Sequence, residues 1–108
     1  MNDLDSIREA IEAGRQRGCV RSIEHENEIH WCNAAIQIHE GLYFVHVSQI
    51  AEKNMAAEKY HVYFTRAFQS LEEAIAAVED ESPIGFNEFG PLKGQLVFRP
   101  GLLEEKDS

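Results

Sequence analysis

Cations are scarce in this sequence: ten Lys and Arg stand against nineteen Asp and Glu, a formal charge of -9. A surface of that sign repels nucleic acid and anionic lipid at long range, so neither is an expected partner, and cationic partners are favoured. Long apolar runs are missing as well. None approaches the ~20 residues needed to span a bilayer, and the opening MNDLDSIREAIEAGRQRG has no apolar segment of the secretory kind. A cytoplasmic protein without a membrane partner is expected. Cysteine is limited to Cys19 and Cys32, with no CxxC, which suggests neither a disulfide framework nor a zinc ribbon. Reduced structural thiols are the expectation.

Signatures of phosphate binding are also lacking. The stretch IGFNEFGPLKGQ, residues 84–95, spaces Gly85 and Gly90 as a phosphate loop would, but Pro91-Leu92 occupies the Lys-Ser/Thr positions. Proline removes an amide donor that such a cradle uses. Pro91-Leu92-Lys93-Gly94 suits a β-turn instead, and Phe86 and Phe89 read as a lid folded over core.

What is present is the composition of one globular domain, 1–108. Its 44% of hydrophobic residues argues against disorder, and a chain of this length can bury roughly two-thirds of its unfolded surface. Leu4, Ile7 and Ile11 make one stripe of a helix over 3–17, with Gly18 as its stop. From Val20 the period changes to two, which predicts strands near 20–25, 29–39, 42–48 and 59–66, joined first by Glu26-Asn27 and Glu40-Gly41 turns. The link QIAEKNMAAEK is read as a short helix or a loop excursion. Ser70-Leu71-Glu72-Glu73 is a capping box opening a helix over 71–80, Pro83 ends it, and QLVF at 95–98 is expected as a final strand. Residues 100–108 are expected as a mobile acidic tail. The order α-β-β-β-β-α-β predicts an α+β two-layer sandwich, an antiparallel sheet of four to five strands with both helices on one face.

Register follows from the second turn. If Glu40-Gly41 is a two-residue turn, Ile36, Ile38, Tyr43, Val45 and Val47 face the helices, while Trp31, Phe44 and His46 face away. Alternation in the fourth strand adds His61 and Tyr63 to that outer face. An aromatic patch of this kind is the anchor set of a protein partner or a homodimer. The helix at 71–80 runs out into Glu79-Asp80-Glu81, against the preference of the helix dipole, and with Glu88 these carboxylates extend a docking surface for lysines and arginines.

Chemistry is harder to find. His30-x-Cys32 with His46 and His61 would be the metal ligands, but no HExxH, paired CxxC or compact carboxylate set accompanies them, so no metal site and no cofactor is expected. Cys32 and Ser48 lie near histidines in sequence without an elbow or an oxyanion loop, so no catalytic residue is assigned. The leading expectation is a non-enzymatic module that binds a basic protein, in its most concrete form an immunity or inhibitor protein neutralising a cationic nuclease toxin. A small-molecule-binding or regulatory domain, with a pocket between the sheet and loop 84–95 lined by Trp31, Phe44, His46, His61 and Phe86, is the alternative. An enzyme using one of the sheet histidines is the third.

Overall fold

A computed structural model describes residues 3–92 and 96–100. Helix α1 spans Leu4–Glu12, followed by strands β1 (Arg17–His25), β2 (Glu28–His39), β3 (Leu42–Ala51) and β4 (Tyr60–Phe68), then helix α2 (Leu71–Glu81). The strands form one antiparallel meander in the order β1-β2-β3-β4. This is the α+β layout that the periodicity predicts. Single turns of 3-10 helix occupy Glu52–Asn54 and Phe86–Glu88.

Both tight turns set the register as expected. His25 faces Glu28 across Glu26-Asn27, and His39 faces Leu42 across Glu40-Gly41. All four turn residues have positive φ, the combination a two-residue reversal needs to match the twist of its strands. Alternation then sends Cys32, Ala34, Ile36, Val45 and Val47 into one core with Ile7 and Ile11 of α1 and Leu71, Ala74 and Val78 of α2. Phe86 and Phe89 join that core, so the glycine-containing stretch closes the helical layer. The capping box is formed as well: the Ser70 hydroxyl accepts the Glu73 N–H at 3.2 Å.

Three expectations are corrected. Helix α1 ends at Glu12, not at residue 17, because Gly14 adopts φ +92° and the chain leaves the helix there. The Gly14 N–H donates to Ile11 O and the Arg15 N–H to Ala10 O, the paired bonds of a Schellman ending. Gly18 lies inside β1, where it exchanges two backbone hydrogen bonds with Gly90 at 3.1 and 2.9 Å. The final strand is absent over 96–98, which run in irregular backbone, while Gln95 and the Lys93-Gly94 half of the predicted turn lie outside the described residues. Beside β1 the only bridge among the described residues outside the named strands is that of Gly90 with Gly18. Of the expected tail, residues 101–108 lie outside the described residues, and Pro100 is buried.

The third correction concerns β4. Val62 faces Gln49, but Tyr60, not His61, faces Ile50, so His61 is an extra residue in the strand. Such a bulge re-aims side chains. Tyr60 therefore joins Tyr63, with ring centroids 5.0 Å apart, while His61 turns toward His25 and His30.

Candidate functional site

The structure divides the expected partner-binding residues among four places, one of them the Phe86–Glu88 turn that carries Glu88. Trp31, Phe44, His46 and Tyr63 share the sheet face away from the helices. Glu79, Asp80 and Glu81 end α2 in the opposite layer. His61 stands apart from both groups, with His25 and His30.

The outer sheet face is partly closed by the chain itself. Gln16 is buried between α1 and β1, and its amide holds residues 97–98 from both ends: Nε2 donates to Phe98 O at 2.8 Å, and Oε1 accepts the Val97 N–H at 2.7 Å. Nε2 also donates to Gln37 Oε1 at 2.7 Å, which ties this clamp to β2. Phe98 then stacks on His46 with centroids 5.7 Å apart and ring planes 20° apart. Phe44 and His46 are left 7% and 6% exposed, so neither offers area to a partner. Burial pushes the His46 imidazole below its ordinary value of 6.5, and its Nδ1 lies 3.0 Å from Thr65 Oγ1. Trp31 is half-buried, and Tyr63, at 65% exposure, is the most open aromatic of the set.

Nothing in the sequence marks Gln16 as a clamp, since an isolated glutamine after a helix usually reads as a solvated one. Phe86 belongs to the helix-side core, whereas Trp31, Phe44 and His46 lie across the sheet from it. The five residues expected to line one pocket therefore do not meet.

The acidic surface is concentrated on the helices. Within α1 and α2 eight carboxylates are exposed, namely Asp5, Glu9, Glu12, Glu72, Glu73, Glu79, Asp80 and Glu81. The single cation in those spans, Arg8, reaches across to Glu72 at 3.0 Å and links the two helices. That hydrogen bond holds the Glu72 carboxyl below its ordinary value. Glu12 accepts the Tyr43 hydroxyl, and this bond, ahead of burial, pushes the phenol up to about 12. Glu79 accepts the Phe86 N–H at 3.1 Å, while Asp80 and Glu81 show no hydrogen bond or ion pair among the described residues.

Glu88 is partly buried and engaged within the chain. One carboxylate oxygen accepts the Gly85 N–H at 2.8 Å, and the other lies 2.8 Å from Arg21 Nε as an ion pair without the alignment of a hydrogen bond. It braces the loop.

The two thiols lie on the helix side of the sheet, unpaired, and burial is the main cause that pushes both above their ordinary value. Such thiols are poor nucleophiles. The histidines show more organisation. The His25, His30 and His61 rings have centroids 5.1, 5.2 and 5.5 Å apart at the open end of the helix-side face. They line a cleft of about 300 Å³ together with Glu28, Ala51 and Lys53.

Among the described residues no helix is long and apolar enough to cross a membrane. No protein-family model matches this chain, and no curated protein or solved structure gives a significant match to it.

Proposed function

We propose that this chain is a non-enzymatic binding protein whose helical layer docks a basic protein partner. The observation that carries the reading is the charge of the two helices, residues 4–12 and 71–81: eight exposed carboxylates against one cation already engaged by Glu72. Opposite charge steers encounter and sets orientation more than it adds affinity, so a helix pair with this excess suits rapid capture of a cationic protein. The end of α2 supports the same reading. Three carboxylates at a helix C-terminus each cost roughly 0.3–1 kcal/mol when exposed, and a cationic partner would turn that penalty into attraction.

The outer sheet face contributes less than the sequence suggests, because Phe98 and Gln16 close it over Phe44 and His46. A homodimer through that face loses the same two anchors. The most specific form of the proposal is an inhibitor of the immunity kind, which neutralises a cationic nuclease by covering its basic surface.

The test is affinity capture from the source cells with the wild-type chain, with Glu79→Lys/Asp80→Lys/Glu81→Lys, and with Tyr63→Ala, each at low and high salt. The expected result is a basic protein lost as salt rises, bound at least roughly tenfold more weakly by the charge-reversed chain and unchanged by Tyr63→Ala. A partner that keeps its affinity for the charge-reversed chain but is lost with Tyr63→Ala would place docking on the sheet and refute the proposal.

A further inference from the structure

Three strands bring three imidazoles to one end of the sheet. His25 closes β1, His30 lies near the start of β2, and His61 is the bulged residue of β4, with β3 passing between the last two. Ala51 of β3 is paired with His30 and lines the same cleft, so a methyl group stands where a larger side chain would separate the rings. Without the bulge, alternation would put His61 on the outer face. The irregularity in the strand is what completes the trio.

The spacing has a chemical meaning. A zinc ion bound by three imidazoles at about 2.0–2.1 Å, in tetrahedral directions, sets their ring centres roughly 5 Å apart. The three separations here are 5.1, 5.2 and 5.5 Å, a nearly equilateral triangle. His30 is buried, and Gln49 Nε2 lies 2.9 Å from its Nδ1, so the amide as placed donates to that nitrogen. Ligation through His30 Nε2 requires that amide to turn its carbonyl to Nδ1 and accept Nδ1–H, the outer-shell arrangement usual for a ligating histidine.

The surrounding charges are mixed. Glu26 and Glu28 supply carboxylates, and Lys53 and Lys59 supply cations. Lys53 is paired with Glu28 at 2.5 Å, and its hydrogen bond is the main cause that holds the Glu28 carboxyl below its ordinary value, with His25 and His30 adding in the same sense. Glu26 lies 3.9 Å from His25 Nε2. Among the described residues no three His, Cys, Asp or Glu side chains are posed to hold a metal ion as they stand, so the exposed His61 ring and the half-exposed His25 ring must turn toward Nε2 of His30. His61 is exposed and His25 partly so, and a change of staggered side-chain rotamer is the movement this asks of them.

We propose that His25, His30 and His61 bind one borderline divalent transition cation, zinc foremost, with Glu28 or water as the fourth ligand. This departs from the expectation of no metal, which rested on sequence spacing that a site assembled from three strands does not display. The ion would fasten the β1–β2 hairpin to the start of β4. Imidazole ligands suit zinc, nickel, copper and cobalt rather than magnesium or calcium.

The proposal is independent of the partner reading and is tested on the full chain after chelator treatment, by calorimetric titration with Zn²⁺ and by visible absorption with Co²⁺. The expected result is one ion per chain, bound at least about tenfold more weakly by His25→Ala and by His61→Ala, and as in wild type by His39→Ala, which lies outside the trio. Both weakening variants alter rings that reach solvent, and circular dichroism confirms their fold. Binding should also fall on acidification from about pH 7.5 to about pH 5.5, since a protonated imidazole cannot ligate. Any of three results overturns the proposal: no binding at one equivalent, undiminished binding by both variants, or an intense sulfur-to-cobalt band that places the ion on Cys19 or Cys32.

Discussion

Gln16 uses both ends of its amide to hold residues 97–98 against the sheet, and the effect is felt at His46. With Phe98 stacked over it, the imidazole is buried and favours its neutral form. Because the folded-state value is depressed, His46 contributes stability that is whole above about 6.5, the unfolded value, and is lost as pH falls through the lower folded value. Urea unfolding should therefore show a midpoint that drops between about pH 7 and about pH 5, with a shallower drop in His46→Gln. Equal slopes for the two proteins would show that His46 is not the group responsible. The raised phenol of Tyr43 acts at the other extreme, where its bond to Glu12 is lost as pH rises from 10 through about 12.

At the scale of elements, β1 is held between β2 and the backbone of Gly90, and only a residue without a side chain fits the junction. A Cβ at Gly18 would lie 2.2 Å from Ala34 O and 2.9 Å from Ala35 Cβ. Gly18→Ala should thus destabilise the fold by roughly 1–3 kcal/mol, read as a lower urea midpoint with unchanged slope. An unchanged midpoint would mean that β1 moves freely against β2.

The same junction separates the elements that were legible in the sequence from those that were not. The hairpins were legible because Glu26-Asn27 and Glu40-Gly41 are local chemistry for positive φ, and the α2 start because its capping box is local too. Gly14 and Gly18 look alike in sequence, and only packing separates a helix ending from a close approach of strands. The bulge at His61 has no local mark. One added residue exchanged the faces of Tyr60 and His61, so the outer aromatic patch was drawn with a histidine that belongs to the other side.

For the whole molecule, the two layers have different surfaces. The two helices carry an acidic excess, while the outer sheet face keeps Val20, Ile29, Tyr60 and Tyr63 about half or more exposed around a centre closed at Phe44 and His46. The charge excess and its end-of-helix cluster were legible from composition and order alone. Which half of the expected docking surface stays open was not, because it depends on a contact between Gln16 and residues 97–98, more than eighty positions away. Long-range pairing of this kind leaves no periodic trace.

Hydrogen exchange of the chain, free and bound to its captured basic partner, tests the central claim most directly. Slowed exchange should concentrate in α1 and α2, over residues 4–12 and 71–81, with β4 little changed. Protection confined to β4 and residues 96–98, with the helices unaffected, would contradict it.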